Sequence, residues 1–257
     1  MNNNLIKDNR ELSILVSRYG LSFLFKDKKP SNTKFFEYLF EQSNPFEIEK
    51  KLKKIIEERP VLTHQFKNIK IIHHNNLNTL VPNELFNENY PEEYLKFNIK
   101  LLEFDRAHFD KIQTHEISNV FIPFANINNI FLDYNDEIDF FHSSTLFIEK
   151  IDKYRSAKEV LSLYDVYLNV FYRDFQMLIY KNEELIFFNS FDFSTNDDFL
   201  YFFFFVLETL KIPENKAEFH IAGVDENFVV MKDLMDFVEN WNFLPAENPG
   251  KLNNFIP

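Results

Sequence analysis

The stretch LSILVSRYGLSFLF at residues 12–25 and the stretch VYLNVFYRDFQMLIY at residues 166–180 decide the reading of this chain. Each is an apolar, partly β-branched strand, a short turn and a second strand, and apolar runs of that length broken by turn residues predict a hairpin. In the first, Tyr19 and Gly20 supply the turn, and Leu21, Phe23 and Phe25 alternate with Ser22, Leu24 and Lys26. In the second, Arg173 and Asp174 supply it. A third strand follows each hairpin, over 35–40 and over 185–191. The recurrence predicts an α/β chain made of two similar domains, each opening on a three-stranded meander, divided as 1–160 and 161–257.

Working outward, Pro45 opens a helix over 46–58, because proline suits a first helical turn and Ile48, Leu52, Ile55 and Ile56 fall at helical spacing. Strands are predicted at 69–73, 79–81, 120–122 and 138–141, and helices at 124–132 and 143–155. Residues 83–86 and 91–97 read as short helical pieces, and 101–117 as an added hairpin. In the second half, Ser194 or Thr195 caps a helix over 197–210, with Asp197 and Asp198 at the positive end of its dipole. A strand at 218–222 closes on Gly223, a helix spans 229–240, and 241–257 is mostly irregular with one short strand. The run FLYFFFFVL at 199–207 is apolar on nearly every helical face, which predicts a helix buried between layers with both Phe203 and Phe204 covered.

Composition narrows the function classes. The chain has 257 residues, 45% of them hydrophobic and 26% charged, which fits a globular protein with room for one large or two modest cores. Its 33 phenylalanines against 3 glycines follow from AT-rich coding and carry no functional message. The net charge of −12 repels phosphate backbones and anionic lipid, so nucleic acid is excluded as a default partner. There is no cysteine, which removes disulfides, thiolate zinc sites and a thiol nucleophile. The first ten residues are polar and of mixed charge, unlike a signal peptide. The run at 199–207 falls short of the ~20 residues of a spanning helix, so no membrane span is expected, and the absence of cysteine leans toward a cytoplasmic location.

Meander, helix, strand, helix and strand is the order of a ribonuclease-H-like domain, and two in tandem give the actin-like ATPase fold with mixed sheets. The chain resembles a family of uncharacterised Bacteroidota proteins of that fold, a domain of unknown function. LSILVSRYGLSFLF, TLVPNELF (79–86), VFIPF (120–124), DFSTNDDFLYFFFFVLETL (192–210) and HIAGV (220–224) carry the resemblance. More distantly, LNVFYRDFQML followed by IYKNEELIFFNSF (168–191) is similar to cytoplasmic pilus-assembly and secretion proteins.

That resemblance implies a place to look for nucleotide. Actin-like ATPases hold phosphates with two hairpin turns, each with an Asp for the metal shell and glycines that admit the phosphates to backbone N–H groups. The first hairpin here has no acid after Glu11 and a single glycine, Gly20. In the second, Asn169 and Phe171 match the Asp and the Gly, and a phenylalanine there blocks the approach. Gly223 matches one glycine of the adenosine-binding turn. Gly20, Asn169 and Gly223 are therefore the nucleotide-cleft candidates. No catalytic residue, metal ligand or cofactor is assigned.

Other clusters of histidine and carboxylate read as structural. His108 and His115 lie seven apart, whereas helical metal pairs are three or four apart. His73 and His74 on a strand face opposite ways, and His142 and His220 near strand ends suit hydrogen bonding. Asp165, Asp225, Glu226 and Asp236 invite a two-metal nuclease, but Asp165 reads as lying at or before its strand's start. The expectation is a non-catalytic scaffold or binding protein with a degenerate nucleotide site, a protein partner and scope for homodimerisation. The alternative is an actin-like ATPase or nucleotide-binding protein with an altered phosphate site.

Overall fold

The computed structural model describes residues 6–97, 99–103 and 105–256, in two compact units, the first ending at Leu146 and the second covering Phe147–Ile256. In the first unit β1 (Lys7–Ser17) and β2 (Gly20–Lys26) form the expected hairpin, with Ser17 opposite Gly20, and β3 (Lys34–Leu39) pairs antiparallel with β2. Next come α1 (Pro45–Glu58), β4 (Gln65–His74), β5 (Asn78–Pro82), the single turn α2 (Glu92–Leu95), β6 (His108–Ile112), β7 (Ile117–Phe121), α3 (Ala125–Leu132) and β8 (Asp139–His142). The main sheet has the order β3-β2-β1-β4-β8, with β4 parallel to both β1 and β8. The range 101–117, expected to hold a hairpin of its own, holds one strand, β6, whose partner β7 starts at Ile117 and takes in most of the strand expected at 120–122; β5 pairs with β7 to give a separate three-stranded sheet.

The reasons are local and then cooperative. Asn44 caps α1 in a capping box, its Oδ1 accepting from Glu47 N–H (3.0 Å) while Glu47 Oε2 accepts from Asn44 N–H (2.9 Å). Ile48, Leu52, Ile55 and Ile56 then pack on one sheet face with Leu12, Ile14, Val16, Phe23 and Ile71. Burying each such side chain stabilises by roughly 1.5–3 kcal/mol.

α4 (Ser143–Ser156) runs across the division at Leu146, and after it the second unit repeats the plan with β9 (Tyr164–Val170), β10 (Asp174–Lys181), β11 (Glu184–Asp192), α5 (Asn196–Thr209), β12 (Ala217–Ala222), α6 (Val229–Met235) and β13 (Trp241–Phe243). The sheet order β11-β10-β9-β12-β13, with three antiparallel strands and then two parallel, is that of the first unit. Val166, Leu168 and Val170 face α5 and α6 in an apolar core. Asp165, Tyr167 and Asn169, pointing the other way, form a buried polar face.

Three expectations are corrected. α6 stops at Met235 rather than 240, because the chain turns so that Asn240 O accepts from Phe219 N–H (2.8 Å), which lays β13 beside β12. β9 begins at Tyr164, so Asp165 lies within the strand. α5 is covered on one side only: Phe199, Phe203, Val206 and Leu207 are buried and Phe204 is half-buried, while Tyr201 and Phe205 are 62% and 51% exposed. Thr195 caps it, in a capping box with Asp198. Among the described residues no helix is long and apolar enough to cross a membrane.

Candidate functional site

Gly20 opens β2, paired with Ser17 and Leu39, and does not take a positive φ. The turn before it is tied into its own unit: Phe40 N–H donates to Tyr19 O (2.8 Å) and Ser43 N–H to Arg18 O (2.9 Å). A cavity of about 450 Å³ beside the turn is lined by Arg18, Ser43, Glu47, Asn75 and Phe124 among others, so one cation and one carboxylate share its wall.

Asn169 and Gly223 are brought together in the second unit. Gly223 ends β12 at φ +91°, a conformation that favours glycine, and a Cβ there would lie 2.9 Å from Asn169 Oδ1 and collide with Val170 O and Asn253 Nδ2. Asn253, from the tail, fills the space. Its Nδ2 donates to Asn169 Oδ1 (2.7 Å) and Val170 O (3.0 Å), and its Oδ1 accepts from the N–H groups of Phe255 (3.0 Å) and Ile256 (2.7 Å). Both donors and both lone-pair directions of the amide are thus engaged. Asn254 N–H donates to Gly223 O (2.8 Å), and Leu252 and Ile256 are fully buried. The other end of the Asn169 amide donates to Gln176 (2.9 Å). Asn169 therefore offers neither a charge nor a free oxygen to a metal shell. Phe171 is 1% exposed in the turn after β9, its N–H donating to Asp174 O (2.8 Å), so bulk occupies the position the resemblance gives to a glycine.

A second polar assembly occupies the same sheet face. Asp165 is fully buried and paired with Arg155 of α4 (Nη1 to Oδ2 2.5 Å), and its Oδ1 lies 3.1 Å from His220 Nε2 and 3.7 Å from Lys158 Nζ. Burial alone would raise the Asp165 pKa, but its contacts with His220 and Arg155 and the charges of Lys158 and Arg155 outweigh it and hold the carboxyl below its ordinary range. Burial, with the Asp165 charge beside it, pushes Tyr167 up, and burial beside Asp152 does the same to Tyr180, whose hydroxyl donates to Asp152 (2.5 Å). Among the described residues, ligand atoms of Asp165, Glu218 and His220 all lie within 4.8 Å of one another. Asp225, Glu226 and Asp236 are exposed and stand outside this group, so the four-carboxylate nuclease set does not assemble.

Packing and hydrogen bonds account for His73, His74 and His108. His73 bonds Asn128 (3.0 Å) and His74 bonds Ser143 (2.7 Å), from opposite faces of β4. His108 is on a strand against Phe140 (4.4 Å between rings) and His115 in a 3₁₀ turn, so they share no helix. Sequence reasoning missed Asn253, Arg155 and Lys158, which lie in a segment without periodicity or on a helix flank, and nothing local marks them.

A strand order repeated in two units, with mixed five-stranded sheets opening on meanders, defines a protein of the actin-like ATPase fold. Solved structures agree. The chain is similar to a Bacteroides thetaiotaomicron protein with actin-like ATPase fold and unknown function (TM-score 0.78, 21% identity, 92% of this chain and 91% of that one). It is also similar to the type IV pilus biogenesis complex PilM-PilN (TM-score 0.53, 11% identity, 91% and 88%). The chain belongs to the family described as "Protein of unknown function (DUF3822)", which it matches over residues 1–240. No curated protein matches it.

Proposed function

We propose that this chain is a non-catalytic scaffold of the cytoplasm, a pseudo-ATPase that keeps the actin-like architecture without the phosphate grip and binds a protein partner. The domain boundary we propose, 1–160 and 161–257, follows the repeat of strand order. The observation that carries the reading is Asn253: its side chain and the backbone after it satisfy Asn169, Val170 and Gly223, the surface that a phosphate or adenosine would need. Asn169 and Phe171 supply no charge and no backbone access there.

The stacked pair Tyr201 and Phe205 (5.9 Å, 19°), with Phe237 56% exposed against Phe204 (5.4 Å), supports a docking stripe for that partner. PilM, of related fold, occurs in a complex with PilN. The net charge of −12 makes a protein a better partner than nucleic acid.

Thermal unfolding with and without Mg-ATP tests the reading. A ligand at a hundredfold excess over its Kd stabilises by about 2.7 kcal/mol, and the expected result is no shift and no hydrolysis. A rise in Tm that Asn169→Ala abolishes would restore the nucleotide-binding alternative around Gly20, Asn169 and Gly223.

A further inference from the structure

We propose that Asp165, Glu218 and His220 form a binding site for a divalent transition-metal ion of the zinc class, with the Lys158 ammonium as its tethered competitor. The three donors are one imidazole nitrogen and two carboxylate oxygens, a set that suits zinc, cobalt, iron or manganese. Tetrahedral ligands at about 2.0–2.1 Å from zinc lie about 3.3 Å from one another. Here His220 Nε2 is 3.1 Å from Asp165 Oδ1 and 4.0 Å from Glu218 Oε2, and all three ligand atoms lie within 4.8 Å of one another, so the Glu218 carboxylate would move inward to close the triangle.

The atoms behind the donors are held as metal ligands are held. Asn242 Nδ2 donates to Glu218 Oε1 (3.2 Å), which fixes the amide so that its Oδ1, 3.1 Å from His220 Nδ1, accepts the imidazole proton. Nε2 then presents its lone pair toward the carboxylates. Arg155 holds Asp165 Oδ2 (2.5 Å), and Ser162 Oγ donates to Glu218 Oε2 (2.8 Å). Such outer partners orient ligands and set their basicity.

The cage already holds a cation, and holds it loosely. Lys158 Nζ is 3.3 Å from His220 Nε2 and 3.7 Å from both Asp165 Oδ1 and Glu218 Oε2, longer than a good ammonium hydrogen bond at every contact. Lys158 follows α4 in a segment without regular structure and its side chain is 18% exposed, so it can leave. Glu218, the one partly exposed ligand of the three, lies on the wall of a cavity of about 590 Å³ that Ser162, Glu239, Trp241 and Asn242 also line, so the site meets solvent through Glu218.

The test is titration of the full, untagged chain with Co²⁺ alone, read by visible d–d absorption, and with Zn²⁺ alone by calorimetry. One equivalent bound is expected, tightened at least about tenfold in Lys158→Met, which removes a like charge from the site. Loss of the bands in His220→Gln and in Glu218→Gln, with circular dichroism unchanged, completes the expected pattern. Glu218 is partly exposed, so its variant decides the matter if the His220 variant unfolds. No stoichiometric signal from the wild-type chain, or bands that persist in Glu218→Gln, overturns the site. Affinity unmoved by Lys158→Met overturns the competition.

Discussion

His73 is held neutral by three contacts. Phe124 N–H donates to its Nδ1 (3.1 Å), its Nε2–H donates to Asn128 Oδ1 (3.0 Å), and the rings of Phe121, Phe124 and Phe140 surround it. Burial, opposed in part by Asn128, pushes its pKa down to about 3 from the usual 6.5. Between those values the unfolded chain binds a proton that the folded chain refuses, so stability is lost as pH falls, by up to about 1.4 kcal/mol per pH unit. Burial lowers His142 in the same direction. Urea midpoints should therefore fall steadily between about pH 6.5 and 4.5, and the slope should be shallower in His73→Gln. Equal slopes in the two proteins would show that His73 is not buried neutral. Sequence told only that His73 and His74 face opposite ways; the proton's location depends on Phe124 and Asn128, about fifty residues away in the chain.

α5 divides into two faces that substitution separates. Phe203 is fully buried against Phe219 (5.5 Å) beneath the second sheet, so Phe203→Ala should cost about 3–5 kcal/mol in denaturant unfolding. Phe205, half in solvent and stacked on Tyr201, should change stability by less than about 0.5 kcal/mol when replaced by Glu, as exposed sites do. A large loss from Phe205→Glu would mean that the stripe is core. The same helix marks the limit of what sequence could say. Its start was legible because Ser194 or Thr195 ahead of Asp197 and Asp198 announces a cap, and both hairpins were legible because strand periodicity is local. Which side of FLYFFFFVL meets the sheet was not, since an all-apolar run carries no phase. The tail was opaque for a different reason: Asn253 is placed by acceptors on β9, some eighty residues earlier.

At the scale of the molecule, two opposing forces act on association. A net charge of −12 makes each copy repel another, while the α5 stripe and Phe237 leave aromatic surface in water. Repulsion between exposed charges is screened beyond about 10 Å at 0.1 M salt and about 3 Å at 1 M, whereas apolar attraction is not weakened by salt. Self-association through the stripe should therefore rise with ionic strength, the reverse of a contact made by ion pairs. Light scattering of the purified chain is expected to give a larger mean mass at high salt than at low, and Phe205→Glu, folded by circular dichroism, should remain monomeric in both. A single monomeric mass throughout would deny the stripe a second copy of this chain, and association that falls with salt would place the contact on charges elsewhere. The same field predicts that labelled DNA shows no anisotropy change at low salt, the condition that most favours polyanion binding. Binding there would require a local basic surface strong enough to overcome the whole-chain charge, and would remove the ground for preferring a protein partner.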